Sequence, residues 1–386
     1  MVAPVDDIDQ IQQRFASFVE TTRRRAPLYA MLAGRIAAEP ERARVLLSAP
    51  RHQRMPVLFF AAIHMSLMDD PDHRLSAHYA SLGGQTPNDR DRDDLAWASL
   101  LDLLDRRAEQ LEATIADRQV QTNEVGRCAV LRAALATLPV DRPIRLVDLG
   151  AAAGLNLALD RYRIDYTDVG ETGAADDLSI ACEVRGGTPP TGPIATITDR
   201  IGLDASPIDL DRAEDRQWLR ACVWADETER LSRLDRAIEI ARREPITIER
   251  HDLRDDPFAT LQRAIDDQLD TTAVVMNSWV LAYLDDIEQQ RVIDALDAIG
   301  RHTGRLVWVC FESVESVPGL AQLTPGMNRS DPASVLVMSD WASGTRSSRL
   351  LARCHPHGHW IEWFDPAGAE PGARQLGEAT GSRQFH

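Results

Sequence analysis

The most constraining feature of the chain is residues 144–156, which read IRLVDLGAAAGLN. An apolar run ends at Asp148, and Gly150 and Gly154 then bracket a turn of small residues before a helical pattern begins. Small residues let the backbone approach a ligand closely, and the first N–H groups of a helix point towards that ligand. The stretch therefore predicts the nucleotide-binding strand–loop–helix of an open α/β sheet.

Composition limits the classes of partner and chemistry. The chain has 386 residues, of which 44% are hydrophobic, so it can bury one large core or two ordinary ones. A formal net charge of −17 repels phosphate backbones, so we expect no nucleic-acid partner. All 43 basic residues are arginines, which excludes chemistry that needs a lysine, such as Schiff-base formation.

Cysteine spacing and the character of the N-terminus suggest a location. The five cysteines are far apart and form no Cys-x-x-Cys pair, which is typical of reduced thiols in a cytoplasm. The N-terminus is acidic, unlike the positively charged start of a signal peptide. The longest apolar segment, residues 55–68, is too short and too interrupted to span a bilayer. We therefore expect a cytoplasmic protein without a membrane partner; the sequence does not fix its oligomeric state.

Hydrophobic periodicity divides the chain into three parts. Residues 1–120 have apolar positions three or four apart, which predicts a helical N-terminal cap. Residues 121–366 alternate strand and helix patterns, as a parallel sheet requires, so we predict one α/β domain there. The polar, glycine-rich residues 367–386 predict a disordered tail.

Two strand-like stretches interrupt the alternation of the α/β domain. They are Tyr162–Tyr166 and Leu178–Val184, with Gly170 and Gly173 between them. Glycines between two short runs of alternating residues are typical of a turn. We predict a β-hairpin inserted at about residues 162–193.

Polar residues stand at four predicted strand ends. Asp148 ends the first strand, Asp204 the second, Asp252 the third and Asn277 the fourth. In open α/β sheets the ligand lies at the carboxyl ends of the strands. An acid after the second strand can accept hydrogen bonds from ribose hydroxyls, and one after the third can hold an adenine amino group. Glu183, in the inserted segment, is the alternative acid for the ribose.

The loop sequence bears on the kind of nucleotide. Its Gly-x-x-x-Gly spacing lacks the middle glycine that lets a pyrophosphate approach, which disfavours a dinucleotide-dependent oxidoreductase. The residues VDLGAAAG at 147–154 and IGLDASP at 201–207 resemble two motifs of class I S-adenosylmethionine-dependent methyltransferases. Ala152 stands where that family usually has glycine. The resemblance implies a Rossmann-like sheet, S-adenosylmethionine as cofactor, and methyl transfer to an unidentified small molecule.

The same resemblance implies roles for individual residues. Asp204 binds the ribose, Asp252 the adenine edge, and Asn277 and Tyr283 face the methyl acceptor. A third catalytic candidate, Glu124, belongs to a polar junction that also suits a plain helix cap. The residues implied to hold the methionine end of the cofactor are Asp148, Gly150, Ala152, Gly154 and Asn156.

A second resemblance runs almost end to end. It rests on PLY at 27–29, QTNEVGR at 121–127, GLNL at 154–157, CEVRG at 182–186 and HPHG at 355–358. These segments are similar to an uncharacterised bacterial family. That resemblance implies a shared fold and brings no substrate.

Two alternatives to enzymatic methyl transfer stay open. Since no general base is evident, the chain can also be a non-catalytic sensor or scaffold that binds an adenosyl ligand. Cys354, His355, His357 and His359 fall within six residues and are potential metal ligands. The intervening Pro356 and Gly358 are typical of a tight turn between strands. We therefore expect a structural turn with one histidine facing the cleft, and no metal site.

Overall fold

The computed structural model describes residues 5–174, 178–265, 270–314, 333–342 and 344–364. The chain divides into two compact units. One comprises Met1–Asn123 and Ile208–Glu239, and the other comprises Glu124–Pro207 and Ile240–His386. Residues 208–239, which the sequence pattern places in the α/β domain, therefore group with the N-terminal helices. The predicted disordered tail lies outside the described residues.

Helices occupy much of residues 1–120, as the apolar repeats there predict. The described α-helices are α1 Val5–Thr22, α2 Pro27–Ala38, α3 Pro56–Asp69, α4 Arg90–Asp117, α5 Arg127–Leu135, α6 Ala213–Ala221, α7 Thr228–Ala241, α8 Pro257–Ile265 and α9 Asp286–Thr303. The described 3-10 helices are Pro40–Ser48, Arg51–Gln53, Arg74–His78, Ala80–Leu82, Leu155–Arg161 and Leu281–Tyr283. None of the helices in the described ranges is both long and apolar enough to cross a membrane.

Aromatic packing fills the core of the helical unit. Tyr29 of α2 stacks on Phe60 of α3 with ring centroids 4.3 Å apart, and Phe15 of α1 meets Phe59 edge-on at 5.5 Å. These four side chains are at most 1% exposed. Helix α3 is apolar on nearly all sides, and ten of its 14 residues are buried inside this unit.

The strands of the second unit form one mixed sheet. They are β1 Ile144–Leu149, β2 Arg163–Tyr166, β3 Gly170–Gly173, β4 Ser179–Gly186, β5 Ile197–Asp204, β6 Ile246–Arg250, β7 Thr272–Ser278, β8 Leu306–Ser313, β9 Ser334–Asp340, β10 Ser347–Cys354 and β11 Trp360–Trp363. Their order is β3-β2-β4-β11-β10-β9-β8-β7-β1-β5-β6. The strands β8-β7-β1-β5-β6 are parallel, whereas β9 and β10 join them through antiparallel pairs. The predicted α/β class is confirmed, and the sheet order is unusual.

The inserted segment differs from the predicted hairpin. The two strand-like stretches become β2 and β4, which pair in parallel with Ile164 opposite Ile180. The hairpin partner of β2 is instead β3, the segment between Gly170 and Gly173. The turn that joins them is short, and Asp168 in it adopts φ +63°. The prediction of the pairing was wrong because the two glycines lie within a strand rather than in a turn.

Alternation along the strands decides which side chains face which helices. Val147 and Leu149 of β1 belong to the hydrophobic cluster that also contains Leu261 of α8 and Leu296 of α9. Successive strand residues point to opposite faces of a sheet. Asp148 therefore lies on the face away from α8 and α9.

The element after the β1 loop also differs from the prediction. The sequence predicts a helix over 154–161, and the structure has a seven-residue 3-10 helix, Leu155–Arg161, with non-helical backbone at Ala158. A 3-10 helix has fewer aligned peptide groups and poorer hydrogen bonds than an α-helix. Fewer N–H groups than expected can therefore point from this helix towards a ligand. The loop between β1 and the 3-10 helix is then the main feature at the carboxyl end of β1.

Candidate functional site

The loop after β1 requires its glycines. Gly150 and Gly154 have φ of +70° and +73°, in the left-handed region that favours glycine. A Cβ atom on Gly150 would lie 2.5 Å from Val280 Cγ2, in the loop after β7. Ala152 adopts φ +52°, and Trp279, directly after β7, adopts φ +58°. Because side chains rarely adopt this conformation, the strained positions mark the carboxyl ends of β1 and β7.

Asp204 closes the loop from the neighbouring strand. It lies at the end of β5, and its Oδ2 accepts a hydrogen bond of 2.8 Å from the N–H of Ala152. Its Oδ1 accepts one of 2.7 Å from the N–H of Ser206. The alternative acid, Glu183, lies on β4, with six strands between β4 and β5 in the sheet. Asp204 and not Glu183 is therefore the acid beside the loop.

Asp148, near the end of β1, is a buried acid. It is 2% exposed, and no described residue donates a hydrogen bond to its carboxyl group. Burial and, to a smaller extent, the nearby Asp204 charge raise the pKa of Asp148 to about 8, against an opposing effect of the Arg127 charge. At neutral pH this carboxyl group is mostly protonated, because removal from water disfavours its charged form.

Arg127 connects the end of β7 with the turn after β10. It is 6% exposed, its Nη1 donates to the carbonyl of Ser278 at 2.8 Å, and its Nε donates to the carbonyl of Pro356 at 3.0 Å. The next residue, Cys128, donates from its thiol to Asn156 Oδ1 at 3.3 Å. Asn156 is 3% exposed, and its hydrogen bond with Cys128 joins the 3-10 helix after the loop to α5.

Asn277 belongs to a second buried group on the opposite face of the sheet. Its Nδ2 donates to Glu312 Oε1 at 2.8 Å, and its Oδ1 accepts from the indole of Trp308 at 2.7 Å. The same Glu312 Oε1 accepts from the N–H groups of Val280 and Leu281, at 2.9 and 3.1 Å. Burial raises the pKa of Glu312. The group holds the loop after β7, and through Val280 it contacts Gly150.

Two further predicted residues lie closer to solvent. Tyr283, in the 3-10 helix after β7, is 79% exposed. Asp252 follows β6 and accepts hydrogen bonds from the guanidinium of Arg254, with Oδ2 2.6 Å from Nη2. That hydrogen bond lowers the pKa of Asp252. Both residues lie in segments that follow the carboxyl ends of their strands, and neither is brought into contact with Asp148 or Asp204.

The third catalytic candidate, Glu124, is 1% exposed and bonds a histidine. Its Oε2 lies 3.1 Å from His357 Nδ1, and its Oε1 accepts from the N–H of Gly126 at 3.0 Å. His357 belongs to the turn between β10 and β11, so the two partners are 233 positions apart in the chain. The structure thereby joins two of the sequence motifs singled out above.

The histidine turn is built by stacking. The rings of His355 and His359 are parallel, with centroids 4.3 Å apart, and His355 Nδ1 accepts from the N–H of His357 at 3.0 Å. Among the described residues, no three His, Cys, Asp or Glu side chains are placed to share a metal ion. All five cysteines are buried thiols without a disulfide.

Sequence reasoning missed two participants, Arg127 and Glu312, and one contact. Arg127 stands inside the QTNEVGR segment, and His357 was considered as a metal ligand in the HPHG turn, although its contact with Glu124 was not visible. Glu312 directly follows the apolar run 306–311, and a polar residue at a fifth strand end was the signal that could have found it.

Comparisons with known proteins give a family without an assigned activity. A family described as an uncharacterized protein conserved in bacteria, DUF2332, matches residues 12–363. A search of curated proteins finds no match to the chain.

Proposed function

Since the chain belongs to the uncharacterised bacterial family DUF2332, its function has to be inferred from its own geometry. We propose that the carboxyl edge of β1, β5 and β7 binds S-adenosylmethionine and that the protein transfers the methyl group to a small molecule. Asp148 carries this proposal, because a buried carboxyl group without a partner among the described residues needs a reason to be there.

A positively charged ligand supplies that reason. Burying a carboxyl group in a place that raises its pKa to about 8 costs stability at neutral pH. An ammonium or sulfonium group beside it would favour the ionised form and recover part of this cost. S-adenosylmethionine has both groups, and an adjacent Asp204 makes the edge more favourable still for a cation.

The strand order supports a nucleoside ligand at this position. Along the parallel section, β5 and β6 lie on one side of β1, and β7 and β8 on the other. This is the arrangement of the first five strands in doubly wound sheets, whose ligands bind where the order reverses. In this chain the reversal lies between β1 and β7, where the loop with Gly150 contacts Val280.

The residues present fit the cofactor in charge and in position. Asp148 would hold the ammonium group, and the tight loop from Gly150 to Gly154 would approach the methionine end. Asp204 has accepted two backbone hydrogen bonds, and a carboxylate has about four lone-pair sites, so it retains capacity for ribose hydroxyls. Asp252 is the proposed partner of the adenine edge. When bound, S-adenosylmethionine supplies a methyl group on a positively charged sulfur, which is open to attack by a nucleophile.

Calorimetric titration with S-adenosylmethionine, S-adenosylhomocysteine and NAD tests the binding proposal. We expect S-adenosylmethionine to bind and NAD not to bind. Because binding releases the Asp148 proton, the affinity for S-adenosylmethionine should increase about tenfold for each unit by which the pH is raised, up to about pH 8. The Asp148→Asn variant should bind weakly and without this pH dependence. Asp165→Asn, on β2 at the other end of the sheet, is the control and should match the wild type. Absence of binding, or binding that ignores both pH and Asp148→Asn, contradicts the proposal.

Binding without turnover is the second candidate function. It is favoured by Asn277, whose amide is committed to Glu312 and Trp308, and by Tyr283, which is largely exposed. Neither is arranged as a base in the described structure. Incubation with methyl-labelled S-adenosylmethionine and a bacterial metabolite extract separates the two functions, since a sensor or scaffold would bind the cofactor and transfer no label.

A further inference from the structure

The contact between Glu124 and His357 has the geometry of an oriented acid–base pair. The carboxylate is 1% exposed and meets the ring at Nδ1, 3.1 Å away. A carboxylate at Nδ1 fixes the tautomer in which Nε2 is the acceptor, and it stabilises the imidazolium that forms when Nε2 takes a proton. The histidine side chain is 17% exposed, so the ring is partly accessible while its partner is not.

Backbone contacts hold this pair rigidly. A Cβ atom on Gly126 would lie 2.3 Å from the carbonyl oxygen of His357, and one on Gly358 would lie 2.0 Å from the carbonyl oxygen of Gly126. Only glycine at both positions lets the two segments approach this closely. The N–H of Gly126 and the N–H of His357 are also bonded, to Glu124 and His355 respectively. The arrangement is therefore preorganised rather than an incidental surface contact.

Arg127 places the pair at the proposed cofactor edge. Its guanidinium bonds the carbonyl of Pro356, the neighbour of His357, and the carbonyl of Ser278 at the end of β7. The same charge acts on Asp148 and on Glu312. Burial raises the pKa of the thiol of Cys128, the next residue, and the charges of Asp148 and Glu124 add to this effect. One side chain thus joins the histidine turn to the carboxyl end of β7.

We propose that His357, held by Glu124, accepts the proton of the methyl acceptor, so that the acceptor is a small molecule with an alcohol or phenol hydroxyl group. This inference rests on the proposed function and adds the substrate class. A carboxylic acid is already ionised at neutral pH and needs no base, whereas a hydroxyl group keeps its proton until a base removes it.

The proposed step moves one proton and one methyl group. The hydroxyl proton passes to His357 Nε2, the oxygen electron pair forms the bond to the methyl carbon, and the electron pair of the broken carbon–sulfur bond stays on sulfur. His357 then returns the proton to solvent. Among the described residues, the titratable groups in contact with the ring are Glu124, through its carboxylate, and His355 and His359 from its own turn.

Nitrogen NMR of histidine-labelled protein tests the pair independently of turnover. The signal that disappears in His357→Gln identifies the residue, and we expect it to show the tautomer protonated at Nδ1. In Glu124→Gln the midpoint of its titration should move to lower pH, since the carboxylate no longer stabilises the imidazolium. A His357 ring protonated at Nε2, or one unaffected by Glu124→Gln, overturns the proposal.

Label transfer from methyl-labelled S-adenosylmethionine to the metabolite extract tests the chemistry. We expect His357→Gln to reduce the rate at least about 100-fold and Glu124→Gln about 10-fold, with unchanged affinity for S-adenosylmethionine. The control is His302→Gln, an exposed histidine in the last turn of α9, which should transfer at the wild-type rate. The labelled product should withstand mild alkali, as ethers do and methyl esters do not.

The outcomes distinguish this inference from the proposed function. Cofactor binding together with wild-type transfer by His357→Gln, or with an alkali-labile or nitrogen-linked product, overturns the base and the substrate class alone. Cofactor binding with no label transfer by the wild type also overturns them and favours the sensor. Failure to bind S-adenosylmethionine removes the proposed function itself.

Discussion

Replacing Asp148 with asparagine should change how stability depends on pH. The pKa of this carboxyl group is raised to about 8 in the folded chain, chiefly by burial, from an ordinary value of 3.8. The folded state therefore holds a proton that the unfolded state releases. Because stability falls with pH wherever the folded state binds more protons, the wild type should lose stability as pH rises from about 4 to 8.

The size of the effect follows from the two pKa values. One pKa unit corresponds to about 1.4 kcal/mol, so at pH 7 the wild type should have lost about 4 kcal/mol relative to strongly acidic solution through this group. The neutral amide in Asp148→Asn avoids that loss. The variant should therefore exceed the wild type in stability by up to about 4 kcal/mol at neutral pH, and the gain should shrink towards zero near pH 4.

Urea unfolding followed by circular dichroism at several pH values measures this difference. Asp165→Asn on β2 is the matched control, and its curve should run parallel to that of the wild type. If Asp148→Asn also runs parallel to the wild type from about pH 4 to pH 8, the reasoning from burial is refuted. A variant that gains stability and loses cofactor affinity would show that this acid is retained for binding at a cost in stability.

Three further predictions concern the packing around the site and the helical unit. Gly150→Ala should destabilise by about 3 kcal/mol or more, because it adds contact with Val280 to the left-handed backbone strain; Gly304→Ala, with φ +63° and no neighbour within 4 Å, should show the strain alone, about 1 kcal/mol. Glu312→Gln should be tolerated, whereas Glu312→Leu leaves three donors unpaired and should cost about 3 kcal/mol or more in urea unfolding. Burial lowers the pKa of His64 to about 4 from 6.5, so the unfolded chain takes up a proton that the folded chain refuses. Stability should fall by up to about 3 kcal/mol as pH drops through this window, and His64→Gln should flatten the fall.

Local sequence patterns predicted the elements well where one face of each is buried. Helices α1 to α4 lie within residues 1–120, which the periodicity predicts as helical, and β1 and β7 end within one residue of the predicted strand ends Asp148 and Asn277. The period of apolar residues is set by the geometry of the helix or strand itself, so it is visible without a partner. Pairing is not visible in this way, and the two strand-like stretches of the insertion turned out to be parallel neighbours.

The candidate site was predictable in part. The glycine positions and Asp204 are brought together as parallel strand ends require, since β5 is the direct neighbour of β1. The roles of Asn277 and Glu124 depend on their hydrogen bonds, which involve Glu312 and His357, both far away in the sequence. No periodicity or spacing reports such a pair.

The sequence by itself determined the α/β class, the family and the bend after β1, because each depends on residues near one another or on a repeated pattern. The structure was needed to decide that Asp204, and not Glu183, lies beside that bend. Only the tertiary structure decided that Asp148 is buried without a partner among the described residues and that His357 meets Glu124. Burial and long-range contacts arise when distant segments pack, and the resulting desolvation and hydrogen bonds determine the charge states on which the proposed chemistry depends.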